Sequence, residues 1–394
     1  MQKQIFTLIA GIALSLATNA EDWPVWRGSG HNSINQEKGI KASSQIAWKK
    51  NVGNGYSAVS VYKDKLLTAG NSDGQDTIYC LNPNTGVEIW KYSYSSSAGR
   101  RFPGPRATPI TDGKKVWMLS RNGDLICLNL SNGKKVWSKK VLTSGAKNLR
   151  WGLASSPMLL GKLIVVNVGA NGMAFNKDSG KKAWANSGGT GAYATPMPFK
   201  YKKKQYVALF MGKELIISNA NGKKVASYPW ISKYDINAAD PVISADGKFI
   251  FATSGYNIGR GALLKFNGKS LSKVWKNRNL CGQFSTPVLY KGVLYGVNGN
   301  IGSRKSLCAV DFKTGARKWR GTLRFGSLLI AGDMLVYLEE NGKLSFLKIN
   351  PSKEEIIKSV QVLRGGKSWT MPVVAKGMLY CRNSKGNLVC LNLK

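Results

Sequence analysis

Few residues of this chain could carry bond-making chemistry, and their types restrict what that chemistry could be. His31 is the only histidine among 394 residues, and the six cysteines contain no Cys-x-x-Cys pair. Zinc sites are built mainly from clustered Cys and His, and a His-based triad needs its histidine beside a nucleophile, so neither is assigned. Asp and Glu together number 20. Asp235 and Asp240 are the best placed of them for a metal or base role. Asp240 directly precedes Pro241, where most other repeats carry Thr, Ser or Met. Its commoner role would be a hydrogen-bonded core carboxylate. No catalytic residue and no metal site is assigned. The residues suited to recognition are more numerous. Tyr56, Arg106, Trp151, Tyr193, Asp240, Phe284, Phe325 and Trp369 combine aromatic faces with charge, the composition of binding hot spots.

What positions them is a repeat. Trp90, Trp137 and Trp184 recur at intervals of 47 residues, each after an Asn, a turn glycine and a short apolar run. Trp275 and Trp319 continue the series. A second signature precedes each unit: a small residue, Pro, a short apolar strand, a Gly or Lys turn and another apolar strand. Examples are Thr108-Pro109, Ser156-Pro157, Thr195-Pro196, Asp240-Pro241, Thr286-Pro287 and Met371-Pro372. Each unit thus has four short β-rich runs split by turn residues. One such sheet cannot bury both faces, and radial stacking solves that problem. The expected fold is all-β: an eight-bladed β-propeller of four-stranded antiparallel blades. Units begin near Tyr56, Arg106, Gly152, Tyr193, Asn237, Phe284, Phe325 and Ser368. The last unit is one strand short, and residues 46–49 read as the missing strand, so an N-terminal strand should close the ring.

The tryptophans Trp48, Trp90, Trp137, Trp184, Trp275 and Trp319 are expected to dock blade against blade. Ala226 replaces the tryptophan in the fourth unit, and the seventh lacks both Gly and Trp. Looser outer packing is expected there. Cys80, Cys127, Cys308 and Cys390 are read as sharing one repeated position, as small buried residues. Cys381 and Cys390 could face each other across a hairpin, and a disulfide between them is left open. Counting back three residues from each Pro position gives Tyr56, Arg106, Ala154, Tyr193, Ala238, Phe284, Phe325 and Trp369, which should ring the axial mouth. The alternative is that these aromatics merely plug the channel.

The first twenty residues read as a signal peptide, with Lys3 before an apolar run too short to span a bilayer and small residues ending at Ala20. Residues 21–45 form an N-terminal extension, and 46–394 the propeller. The mature protein is expected to be periplasmic or secreted and monomeric, without a transmembrane segment. Lys and Arg number 58, for a net charge of +38. That field suits an anionic partner such as acidic polysaccharide or lipopolysaccharide, or simply a soluble surface. Lys-rich turns, including Lys114, Lys134, Lys202 and Lys223, should lie on one disk face, opposite the mouth.

The spacing of Asn or Asp, then Thr/Ser-Gly, then Trp resembles the tryptophan-docking motif of the PQQ-like, or quinoprotein-type, propeller family over residues 46–394. The segment from Asp22 to Gly28 resembles the opening of exported planctomycete-type members. The resemblance implies kinship in fold with the outer-membrane assembly propeller lipoprotein and with PQQ-dependent alcohol dehydrogenases. The dehydrogenases hold PQQ and calcium, and they usually carry a disulfide between adjacent cysteines. This chain has no Cys-Cys dipeptide. The expected function is a non-catalytic scaffold binding a protein or an anionic polymer, without cofactor. The alternative is a PQQ-dependent oxidoreductase, which alone would call for PQQ and calcium.

Overall fold

Each repeat folds as one antiparallel blade. Blade 1 runs through Ser60–Tyr62, Lys65–Ser72, Gln75–Leu81 and Glu88–Ser95. Blades 2 to 7 repeat this order, with first strands at Ile110–Thr111, Met158–Leu160, Met197–Tyr201, Val242–Ile243, Val288–Tyr290 and Gly326–Ala331. Blade 8 takes Val373–Ala375, Met378–Arg382 and Asn387–Asn392 from the C-terminus and Ile46–Asn51 as its outer strand. The computed structural model describes residues 21–96, 101–143, 145–185, 188–256, 259–300 and 305–394. The segment read as a signal peptide, 1–20, lies outside the described residues.

Every blade carries a register shift between its third and fourth strands. In blade 1 Cys80 pairs with Trp90 and Leu81 with Glu88, so Ile89 is the extra residue. Such a bulge re-aims the side chain beside it. Here it turns the indole onto the next blade. The Trp90 Nε1 donates to the Leu130 carbonyl at 2.9 Å, and the Trp48, Trp137, Trp184, Trp275 and Trp319 indoles make the same bond across their own interfaces. For five of these six indoles the acceptor blade supplies a turn glycine under the ring, and Trp319 on blade 7 has none. A Cβ on Gly133 would sit 2.5 Å from Trp90 Cε3, and the residue has φ +69. Glycine therefore serves two purposes at once, a left-handed turn and a flat seat for the indole.

Blade 4 lacks this dock, with Ala226 opposite Ile217. The interface with blade 5 is filled further in, where Tyr206 meets Phe199 at 5.6 Å and Phe266 at 5.2 Å between ring centroids. The expected looseness is thus met by an aromatic cluster that the repeat alignment did not reveal.

In blades 2 to 6 the side chain of the residue before the Pro clasps the preceding blade. The backbone N–H of Ala58 donates to Thr108 Oγ1 at 3.0 Å, that of Thr108 to Ser156 Oγ at 2.9 Å, and that of Ser156 to Thr195 Oγ1 at 3.1 Å. Thr195 then donates to Asp240 Oδ1 at 2.7 Å, and Asp240 to Thr286 Oγ1 at 2.9 Å. Five successive interfaces are clasped around the axis in this way. The ring closes through Arg382, whose buried Nη1 reaches Ser57 O at 2.9 Å and Thr68 Oγ1 at 3.0 Å, while Nη2 reaches Gly53 O at 3.0 Å. Burial lowers its pKa to about 9.

The N-terminal extension crosses the inner strands at the end of the ring that carries the turns between first and second strands. Trp23 bridges to Val61 in blade 1, the Pro24 carbonyl accepts from Thr111 in blade 2, and Ile34–Asn35 pairs in parallel with Ile330–Ala331 in blade 7. Asn35 Nδ2 donates to Val374 O in blade 8 at 3.0 Å. Trp23 and Arg27 are each 1 % exposed.

Two cysteine readings are corrected. All six cysteines are free and buried. Cys390 pairs with Tyr380 and Cys381 with Val389, so the two thiols leave opposite faces of blade 8 and cannot meet. In blade 6 it is Ala309, not Cys308, that faces the docking Trp319. Cys308 sits one position earlier and points the other way.

Two outcomes are expected. Gly133→Ala should cost about 2–4 kcal/mol in urea unfolding, from about 1–2 of left-handed strain and the remainder from indole overlap. Gly74→Ala, at φ +74 with nothing within 4 Å, should cost the strain alone. Equal costs at the two sites would refute docking as the reason for Gly133. The second concerns His31, whose pKa is lowered to about 4 by burial, with the Arg27 charge a smaller contributor. The unfolded chain takes up its proton below about 6.5 and the folded chain does not. Stability should therefore fall as pH drops from 6.5 towards 4, by up to about 3 kcal/mol, and His31→Asn should flatten that slope in unfolding measured at both ends.

Candidate functional site

Every connection from an outer fourth strand to the next inner first strand passes over one end of the ring. These connections build the axial mouth, a cavity of about 390 Å³. Tyr56, Arg106, Trp151, Tyr193, Asp240, Phe284 and Trp369 line it, together with Arg101 and Gln283. Phe325 does not. It is 1 % exposed and packs behind Phe284, edge to face at 5.0 Å. Asp235 is also absent from the lining. It lies in the short helical turn Lys233–Asp235.

The aromatic residues fall into two groups. On one side Trp369 stacks on Tyr56 at 5.4 Å and touches Phe102 and Phe284, each at 5.3 Å. Its Nε1 donates to Glu340 Oε1 at 2.8 Å, which fixes the indole. On the other side Trp151 meets Tyr193 at 5.9 Å, and the Arg150 guanidinium lies 5.5 Å over the Trp151 ring. Arg106 bridges the groups, donating from Nη2 to Phe102 O at 2.9 Å and from Nη1 to Trp151 O. Burial lowers its pKa to about 10, with Arg121 adding to the effect. Burial also raises the Tyr56 and Tyr193 hydroxyls above the usual tyrosine range. The result is an apolar cup with a partly desolvated cation in its wall.

The floor comes from the N-terminal extension. Trp26 lines the cavity, and its Nε1 donates to Asp240 Oδ2 at 2.7 Å. Asp240 also accepts from the Thr195 N–H and, at 3.3 Å, from Thr286 Oγ1. Burial raises its pKa, and the Arg27 charge opposes that rise. Both carboxylate oxygens are thus committed to structural donors. Among the described residues no three His, Cys, Asp or Glu side chains gather at metal-binding distance. Sequence reasoning missed Trp26 and Phe102. Trp26 stands in a Trp-Pro-Val-Trp-Arg segment that is conspicuous in the sequence, but nothing in the repeat says which blades it faces.

The opposite end carries the Lys-rich turns. Lys114, Lys134, Lys202 and Lys223 are exposed there, while Lys115 pairs with Asp178 at 2.7 Å. Exposed cations stand on the mouth side too, including Arg101, Lys147, Arg150 and Lys367. The positive charge is therefore not confined to one face.

The family described as outer membrane protein assembly factor BamB matches this chain over residues 74–321 and 244–394. The chain belongs to this BamB-like, PQQ-type propeller family. Among solved structures it is similar to BamB from Moraxella catarrhalis, with TM-score 0.67 and 13 % identity over 89 % of this chain and 99 % of that one. It is also similar to a europium-containing methanol dehydrogenase, with TM-score 0.70 and 11 % identity over 92 % and 89 % of the two chains. A third is the quinohemoprotein alcohol dehydrogenase from Comamonas testosteroni, with TM-score 0.67 and 11 % identity over 94 % and 80 %. No curated protein matches in sequence. At these identities the BamB-like propeller shares its fold with both groups, and the fold alone does not choose between them.

Asp240→Asn tests the floor. An amide in place of the carboxylate must turn an NH₂ towards either the Thr195 N–H or the Trp26 indole. A loss of about 1–3 kcal/mol in urea unfolding is expected, with a red shift of tryptophan emission as Trp26 loosens. An unchanged midpoint would show that the clasp carries no weight.

Proposed function

We propose that this BamB-like propeller is an exported, non-catalytic scaffold whose axial mouth receives a segment of a partner protein. The observation that carries the reading is the cup itself. Aromatic side chains from around the ring and from the extension surround Arg106 at a concave opening, which is the make-up of a hot-spot pocket. An inserted aromatic side chain would stack on Trp369 or Trp151, and an inserted carboxylate would meet the partly desolvated guanidinium. The family description as an assembly factor and the net charge of +38 favour an anionic protein surface as the partner. No helix among the described residues is long and apolar enough to cross a membrane.

PQQ with calcium fits this mouth poorly. Calcium takes six to eight oxygen ligands. Asp240 is the sole carboxylate among the described lining residues, and three hydrogen-bond donors already claim it. We derive no redox step.

The test is capture from the periplasm or culture medium by immobilised protein. The variant combining Arg106→Ala, Tyr193→Ala and Trp369→Ala should lose the captured protein while keeping a cooperative unfolding transition. Retention of the same partner by the folded variant would remove the mouth from the interaction. Added PQQ and calcium should give neither a cofactor absorbance nor dye-linked alcohol oxidation, and the appearance of both would favour the dehydrogenase reading.

A further inference from the structure

The N-terminal extension covers the turn end of the ring unevenly. It pairs with blades 1, 2, 7 and 8 and leaves a second cavity, of about 750 Å³, over blades 4, 5 and 6. Phe199, Val242, Phe249 and Leu289 give this cavity an apolar wall. Arg27 lines it from the extension.

The guanidinium of Arg27 is incompletely met. Nε donates to Ser33 Oγ at 2.9 Å and Nη2 to the Pro287 carbonyl at 3.1 Å. Nη1 is buried and has no hydrogen-bond partner. The same is true of Nδ1 of His31, which also lines the cavity. A buried charged donor left unmet is costly, and native proteins rarely leave one without a reason. Asp240 attracts Arg27 through space, but its oxygens are bonded to Trp26, Thr195 and Thr286. At the rim Lys200 and Lys291 are exposed. Asp246 is the only carboxylate among the described lining residues, and it accepts from Ser244 Oγ at 2.5 Å and from the Lys248 N–H at 3.0 Å. The cavity therefore combines apolar walls, a lysine-bearing rim and a buried guanidinium nitrogen with an unused hydrogen-bonding direction.

We propose that this cavity binds a small amphipathic anion, its carboxylate or phosphate head meeting Arg27 and its apolar body lying along Phe199, Val242 and Leu289. The two head groups share the chemistry that matters, anionic oxygens for a guanidinium. The site opens at the end of the ring opposite the axial mouth and does not rest on the scaffold reading.

Isothermal titration calorimetry on the full mature chain tests this with octanoate, octyl phosphate and octanol. At least one anion should bind saturably, and octanol should bind at least about tenfold more weakly. The relative affinities of octanoate and octyl phosphate identify the preferred head group. Arg27→Gln should abolish anion binding. Because that buried change could also unfold the protein, Lys200→Glu with Lys291→Glu provides a second arm on exposed side chains. This pair should weaken anion binding by about tenfold and leave octanol unaffected. Trp369→Ala at the mouth should change neither. The proposal is overturned if no anion binds up to about 10 mM, if octanol matches the anions, if the rim pair has no effect, or if Trp369→Ala abolishes binding.

Discussion

Five of the eight blade interfaces rest on one contact, an indole of one blade lying flat on a turn glycine of the next. Each blade alone is a twisted sheet with two apolar faces and no means of covering both. The docked indole joins blades at the rim, where sheets diverge and side chains would otherwise fail to meet. Its N–H is satisfied by a carbonyl of the same neighbour, as at Trp90 and Leu130. The bulge before the tryptophan makes this possible by turning its side chain out of the strand's alternation. Glycine, bulge and tryptophan act as one device at these five interfaces, whereas Trp319 bonds the Asn350 carbonyl of blade 7 without a turn glycine beneath it.

Near the axis a different chemistry does the same task. There a hydroxyl or carboxylate before the Pro of blades 2 to 6 accepts the backbone N–H of the preceding blade. Pro fixes the local chain in an extended form, which holds that residue in place. Asp240 is the member of this inner circle that carries charge, and its second oxygen holds Trp26. The carboxylate that looked most like a chemical group in the sequence is thus the point where circle and extension are joined. A consequence is that the floor of the mouth and the lining of the second cavity are parts of one segment, Trp26 and Arg27.

The features that were legible in the sequence are those that repeat. Trp, Gly and Pro recur at fixed spacing, and comparing eight copies exposed the blades and the orphan strand around Trp48. The features that were not legible occur once. Trp26 reaches Asp240 across 214 residues and Asn35 reaches Val374 across 339, and no second copy of the extension exists to compare. Cys308 misled because blade 6 places Ala309 opposite its tryptophan, so a one-residue offset reversed the side chain's face. Phe325 holds the mouth-ring position of its blade, yet its neighbour Phe284 covers it. Three-dimensional layering of this kind leaves no trace in spacing.

Blade 8 is assembled from both ends of the chain, with Ile46–Asn51 against Asn387–Asn392. This arrangement has a kinetic meaning. Synthesis proceeds from the N-terminus, so the strand around Trp48 emerges early and gains its partner only once Asn387–Asn392 is made. Contacts of such long range form slowly, and an open strand edge invites wrong partners in the interval. Seven blades can stack as they appear, but the ring cannot become a closed body before the last strand arrives. Closure of this ring is therefore a late step that requires both Ile46–Asn51 and Asn387–Asn392.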